Sequence, residues 1–312
     1  MRVAVFGAGA VGGYYGARLA AGGADVAVVA RGAHLAAIRA GGLRVESIAG
    51  DAVLRPSLVT DRPAEIGPVD WVVCGVKAWQ VEEAAQAMRP LIGRDTGVLP
   101  LQNGVDAADQ LGDAVGREHV VGGATWILAH VEAPGLIRHT GARPRIVFGE
   151  LDGVSRERCP RLLAALRAGG VEAELSDRIA TVVWSKFLFI DPVSALGAVT
   201  RRPLGEYRVV PETRRLLAAA IGEVRSLALA EGVPLPDDAV AETLALIDRL
   251  PAESVASMQR DVAAGRPSEL HCQAGAVVRR ARARGVATPV HDLLYAALLP
   301  GERAARGQPT VA

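Results

Sequence analysis

The 312-residue chain contains only three cysteines, Cys74, Cys159 and Cys272. They lie far apart, with no CxxC or other metal spacing, so neither a disulfide scaffold nor a zinc site is expected. The histidines, His34, His119, His130, His139, His271 and His291, show no metal spacing either. They read as structural or surface groups, and no metal is expected. Net charge is nearly absent, with 35 basic residues against 34 acidic ones, a formal +1. That balance argues against nucleic acid as a partner and favours a small molecule. There is no run of about 18 uninterrupted apolar residues, so no membrane span is expected. The N-terminus, MRVAVFGAGAVGG, turns glycine-rich before any cleavage-type site, which suits a first strand better than a signal peptide. A soluble, cytoplasmic protein without internal repeats is the expectation.

Half of the residues are hydrophobic and 22% are charged, which allows a sizeable core and excludes global disorder. The length suits two domains. The first half alternates short apolar runs with helical patterns. Val3–Phe6 is followed by a helix through Leu19 that Gly22 and Gly23 close, then by Val26–Ala30. WVVCGV (71–76) and GVLPLQ (97–102) read as buried strands, with VEEAAQAMRPLI as a helix between them. Continuous apolar strands alternating with helices imply an α/β domain whose parallel sheet is covered on both faces. Residues 141–150, GARPRIVFGE, read as a late strand, and RLLAALRAGG with VEAEL adds a helix and a strand. Beyond Asp177 the apolar spacing becomes helical throughout. Helices are expected around Leu217–Ala228, Val240–Ile247, Ser268–Gly285 and Val290–Leu299. The boundary is placed to give an N-terminal domain over 1–176 and an all-helical domain over 177–312, with a frayed tail from Gly301.

The strongest local signal is Gly7-Ala8-Gly9-Ala10-Val11-Gly12. A bare GxGxxG means little, but this one follows a strand, opens a helix and leads to a second strand. Gly7 suits the tight turn, Gly9 lets a pyrophosphate approach the backbone, and Gly12 allows helix and strand to pack. The helix N-terminus then offers its N–H groups and dipole to the phosphates. At the end of the second strand an NAD site would place Asp or Glu. Here Arg31 stands there, and a guanidinium suits a 2′-phosphate, so NADP(H) is favoured. A solvated arginine at a strand end is the alternative. Lys77 and Asn103 follow later strands, on the side where ligands of such sheets bind. Lys77 would reach a cofactor ribose or a substrate carboxylate. Asn103, both donor and acceptor, suits a nicotinamide ribose or a substrate hydroxyl. A surface lysine and a turn-forming Asn-Gly pair are the plain alternatives.

In the second half, TVVWSKFLFIDPVSAL sets Lys186 among Trp184, Phe187, Leu188, Phe189 and Ile190. A lone buried charge is costly unless it is paired or its pKa falls. The lysine is therefore at a surface, snorkelling, or performing chemistry. Helical spacing puts Ile190 and Ser194 on its face, with Pro192 expected to kink the helix or free the Leu188 carbonyl. Glu269, after Pro267, is expected in the first turn of a helix, and Ser257 stands twelve positions earlier. Cys272 reads as filler, and Trp126 as core or cleft wall.

Together these pieces resemble the ketopantoate reductases (2-dehydropantoate 2-reductases) and their relatives among D-2-hydroxyacid dehydrogenases. The carriers are GAGAVG, Arg31, VKA at 76–78, LQNG at 101–104, IRHTG at 137–141, WSKF, and SMQRD followed by SEL. The resemblance spans nearly the whole chain. It implies a Rossmann-type domain followed by a helical domain, with a cleft between them, NADPH as hydride donor and a 2-oxo acid as acceptor. It implies Lys186 as proton donor, Asn103 touching cofactor and substrate, Glu269 near the nicotinamide ribose, Ser257 on the substrate, and a backbone contact from Ala129 to the cofactor. Where the family commonly has asparagine, this chain has Ile190, Ser194, Leu204 and Ser254. Losing those amides points towards a bulkier or more apolar 2-oxo acid as the alternative to 2-dehydropantoate. A homodimer is a further expectation.

Overall fold

The computed structural model describes residues 1–308. The chain forms two compact units, one of Met1–Gln102 with Ala107–Val182, the other of Asn103–Asp106 with the residues from Val183 on. The division falls inside a long helix rather than at the expected boundary near residue 176.

The first unit runs β1 (Arg2–Phe6), α1 (Ala10–Ala21), β2 (Asp25–Val29), α2 (Gly32–Gly41), β3 (Leu43–Ser47), β4 (Ala52–Leu54), β5 (Leu58–Thr60), β6 (Val69–Cys74), α3 (Val81–Ala87), β7 (Ile92–Pro100), α4 (Ala107–Val115), β8 (Val121–Ala133), β9 (Leu136–Glu150), α5 (Arg158–Ala168) and β10 (Glu172–Leu175). Five strands make a parallel sheet in the order β5-β2-β1-β6-β7. Both of its faces are buried, which is why its strands read as unbroken apolar runs. Val3 and Val5 of β1 pack with Tyr14, Tyr15 and Leu19 of α1. Ala4 and Phe6 point the other way, against Val81, Ala85 and Met88.

A second sheet, β10-β9-β3-β4 with β8 on β9, covers the far side of α1 through Leu43, Val45, Ile137 and Phe148. The sequence suggested only a strand at 141–150. The strand is longer, and its antiparallel partner β8 was not anticipated. The outer half of this hairpin is largely exposed around the Pro134-Gly135 turn, and apolar residues such as Leu128 and Val131 face solvent there, so no alternation marks a buried face.

The second unit is helical: α6 (Ile179–Thr200, its first four residues in the first unit), α7 (Leu204–Tyr207), α8 (Pro211–Ala230), α9 (Ala239–Arg249), α10 (Ser257–Ala263), α11 (Ala274–Arg284) and α12 (Pro289–Ala305). Its core joins Phe187, Leu188 and Leu196 of α6 to Leu217, Ile221 and Val224 of α8 and to Val277 and Leu294. Among the described residues, α6 is long and apolar enough, by length and composition, to cross a membrane. Most of it is buried against its neighbours, and it carries Lys186 and Asp191, as a core helix does.

Pro192 lies inside α6, and the helix continues for eight residues beyond it. Two local expectations need correction. Glu269 is not in a first helical turn, because α11 starts at Ala274. Ser268 is instead tied to Glu302 of α12, its N–H at 3.1 Å and its hydroxyl at 2.5 Å, and this holds 268–273 as a separate turn. Gly301 does not begin a frayed tail, since α12 passes Pro300 and ends at Ala305. Residues 309–312 of that expected tail lie outside the described residues.

Candidate active site

In the first unit the glycine turn leaves β1 and Gly9 caps α1. A Cβ at Gly12 would collide with the Gly7 carbonyl, so the helix reaches the turn only without a side chain there. Gly9 differs. A Cβ there would meet nothing nearer than Gly75 O at 4.0 Å, and its φ of −65° is open to other residues. The protein's own packing does not require glycine at 9, whereas a ligand lying against that backbone does. The turn therefore fits a dinucleotide pyrophosphate, with its amides at a helix N-terminus.

Arg31 caps the start of α2, two residues past β2. It is exposed and pairs with Glu83 of α3 at 3.0 Å. Lys77 lies beyond β6, exposed, with its ammonium 5.6 Å from the Trp79 ring centroid. Ala129 sits on β8 opposite His139 of β9. Trp126, also on β8, is half-buried, with the Arg145 guanidinium over its ring.

In the second unit the structure brings three of the expected residues together. The Lys186 ammonium donates to Asn103 Oδ1 at 2.7 Å. Burial pulls the Lys186 pKa down to about 8, with the Glu269 carboxylate opposing the shift. The shift brings the amine's proton exchange closer to neutral pH than an ordinary lysine's, which suits a proton donor. Asn103 is held from both sides of its backbone. Gly104, at φ +109°, lies close enough to Cys272 that a Cβ would come within 2.8 Å of its carbonyl oxygen. Asp106 is clamped by Arg279 and Arg280 of α11 at 2.9 and 3.0 Å. Glu269 accepts from Gln273 Nε2 at 3.1 Å.

The other expected residues of this unit differ in setting. Ile190 is half-buried one turn along α6 from Lys186. Ser194 is fully buried, and its hydroxyl has no hydrogen-bond partner in the protein. Ser257 opens α10 and Ser254 precedes it, both half-buried. Leu204 is a core residue at 1% exposure rather than a wall of any site. His291, read as structural or surface, is a buried structural group, while its partners Asp191 and Glu223 were not anticipated. His291 joins Asp191 Oδ2 at 2.7 Å to Glu223 Oε2 at 2.5 Å, and Asp191 sits on the lysine's own helix. Sequence reasoning also missed a signal in plain view. Of the 35 basic residues only Lys77 and Lys186 are lysines, and Asn103 is the single asparagine. Arginine, which cannot release its proton in a protein, stands at the other 33 basic positions.

Among the described residues no cluster of three or more His, Cys, Asp or Glu could hold a metal ion. A family described as ketopantoate reductase PanE/ApbA matches residues 3–153, and its C-terminal counterpart matches 178–302. The chain belongs to the ketopantoate reductase PanE/ApbA family. It is similar to a 2-dehydropantoate 2-reductase of Mesorhizobium japonicum, 32% identical, with 95% of this chain and 96% of that one covered. It is similar to a solved PanE/ApbA family ketopantoate reductase from Ralstonia eutropha JMP134, 32% identical with a TM-score of 0.88, covering 98% and 100% of the two chains. A third likeness is to a D-mandelate dehydrogenase solved with NADH and anilino(oxo)acetate, 25% identical with a TM-score of 0.87, covering 98% and 99%. The family is one of oxidoreductases, and its fold is that of dinucleotide-dependent reductases.

Proposed function

We propose that this protein reduces a 2-oxo acid to the 2-hydroxy acid with NADPH, and that the acid is 2-dehydropantoate. The observation that carries the reading is Lys186, half-buried, bonded to Asn103 and with its pKa lowered to about 8. The amides of the turn from Gly7 to Gly12 hold the pyrophosphate, with Ala8, Ala10 and Val11 supplying the intervening backbone. Ala129 offers a backbone contact, and Lys77 reaches the ribose or the substrate carboxylate. Arg31 takes the 2′-phosphate, exchanging Glu83 for a doubly charged partner.

When bound, NADPH supplies the hydride that goes to C2 of the acid. Negative charge grows on the carbonyl oxygen, and Lys186 stabilises it and gives up a proton, leaving the hydroxyl. Asn103 orients the ammonium by accepting one of its hydrogens. Glu269 keeps enough positive charge on the amine for it to remain a donor near pH 7. Ser257 and Ser254, both half-buried, are the hydroxyls offered to the acid's polar atoms.

A second reading has its own support. Ile190, apolar and one turn from Lys186, offers no amide, and a D-mandelate dehydrogenase is among the similar structures. A bulkier apolar 2-oxo acid would suit that wall.

The test follows reduced-nicotinamide absorbance with a panel of 2-oxo acids (2-dehydropantoate, branched, aryl), each with NADPH and NADH. The expected result is the highest kcat/KM for 2-dehydropantoate, with NADPH preferred. An aryl or branched acid ahead of it supports the second reading. Tight dinucleotide binding with no turnover across the panel overturns both and leaves a dinucleotide sensor.

A further inference from the structure

We infer that His34 is a positioning residue for the dinucleotide turn, holding the Ala8–Gly9 peptide in the orientation that presents the Gly9 amide. The inference rests on the dinucleotide site proposed above. His34 stands in the first turn of α2, three residues after Arg31, and is half-buried. Its Nε2 lies 2.7 Å from the carbonyl oxygen of Ala8, inside the glycine turn. Its Nδ1 lies 3.0 Å from the backbone nitrogen of Gly135, at the tip of the β8–β9 hairpin. These two partners fix the tautomer. The Gly135 N–H can only donate, so Nδ1 is the acceptor. Nε2 therefore carries the hydrogen and donates to Ala8.

The effect on the turn follows from peptide planarity. The Ala8 carbonyl and the Gly9 N–H belong to one planar unit and point in opposite directions. Holding the carbonyl therefore fixes where the amide aims. Ala8 is 2% exposed, so its oxygen has little access to water if the imidazole is lost, and an unpaired buried carbonyl is costly. The peptide would rotate to find another donor, and the Gly9 amide would turn with it.

The strut has a fixed far end. Gly135, at φ +77° after Pro134, gives its carbonyl to the Arg44 N–H at 2.9 Å. A Cβ there would come within 3.0 Å of Ala37 of α2, so the hairpin tip lies directly on the helix that carries His34. The glycine turn, α2 and the second sheet thus meet at one imidazole. α2 thereby sets both ends of the proposed dinucleotide site in this unit, Arg31 at its N-cap and the turn through His34.

Two conservative variants separate the two bonds. His34→Gln puts an amide N–H near the Nε2 position and can still donate to Ala8. His34→Asn puts a carbonyl oxygen near Nδ1 and can still accept from Gly135, but does not reach Ala8. Dissociation constants for NADPH and NADH would be measured by calorimetry for wild type, His34→Ala, His34→Gln and His34→Asn, with thermal unfolding and steady-state kinetics alongside. The expected result is a roughly tenfold weaker dinucleotide in His34→Ala, the loss of about one well-placed hydrogen bond. It should appear in KM for the dinucleotide rather than in kcat. His34→Gln should recover most of it, and His34→Asn should not. Should His34→Ala fail to fold, the Gln and Asn variants carry the comparison. Unchanged affinity in His34→Ala, or equal rescue by Asn and Gln, overturns the inference. Wild type that binds neither dinucleotide would instead remove the site on which it rests.

Discussion

The first unit presents its proposed ligand with backbone, the second with side chains. Around the glycine turn the useful groups are amides, and the charged side chains nearby are exposed, Arg31 and Glu83 at 66% and 67%. In the second unit a few charged groups lie partly or wholly inside. Lys186 is half-buried against Glu269 and Asn103, and His291 is wholly buried between Asp191 and Glu223. A backbone cradle is damaged by added atoms, because its function is close approach. A buried charge cluster is damaged by removed atoms, because each loss leaves a partner stranded. The two halves should therefore fail under opposite kinds of mutation.

The largest effect expected is at Lys186. Lys186→Ala should cut turnover by roughly 10²–10⁴-fold, the usual contribution of a general acid, while dinucleotide affinity stays near wild type. Near-normal turnover would remove Lys186 from the chemistry. The wild-type rate of 2-oxo acid reduction should also fall as pH rises through about 8, as the donor loses its proton.

Next is the buried histidine. Burial alone would lower its pKa, but Asp191 and Glu223 outweigh this and raise it to about 9 from an ordinary 6.5. A raised folded-state pKa contributes stability that is complete below about 6.5 and is lost as pH rises through about 9. His291→Leu leaves two carboxylates without their cation and should cost about 3–5 kcal/mol in denaturant unfolding at pH 6.5. The gap should narrow by pH 9.5, and a gap independent of pH would show that His291 is not the titrating group.

Adding a methyl in the first unit should matter less. Gly12→Ala forces its Cβ against the Gly7 carbonyl and should cost about 1–3 kcal/mol, with a parallel loss of dinucleotide affinity. The smallest effect belongs to the exposed pair. Arg31→Ala should leave stability within about 0.5 kcal/mol, since such pairs contribute little, yet reduce the proposed preference for NADPH over NADH. An unaltered preference would mean that Arg31 does not meet the 2′-phosphate, and would sharpen the contrast by leaving Lys77 as the one proposed side-chain contact of the first unit.

Much of the first unit was readable because its physics is local. Val3–Phe6 and Trp71–Cys74 are apolar at successive positions since both faces of their sheet are covered, and the glycines between β1 and α1 announce a turn. The β8–β9 hairpin was not readable, because its outer half meets solvent and packs through few residues such as Ile137. The second unit's longer helices could be located but not bounded, and the short α7 and α10 were not anticipated. Pro267 followed by Ser268 and Glu269 has the composition of a helix start, yet the Ser268–Glu302 bond, spanning 34 residues, delays α11 until Ala274.

The amino-acid sequence alone determined the strand-turn-helix that opens the chain, the helical character of its second half, and the unusual choice of lysine at 186. Those properties depend on neighbours within a few residues. Only the tertiary structure decided that Asn103 belongs with Lys186, 83 positions away, and that Asp191 meets His291 across 100. Hydrogen bonds and desolvation act over a few ångströms of space, and nothing in the order of residues measures that distance.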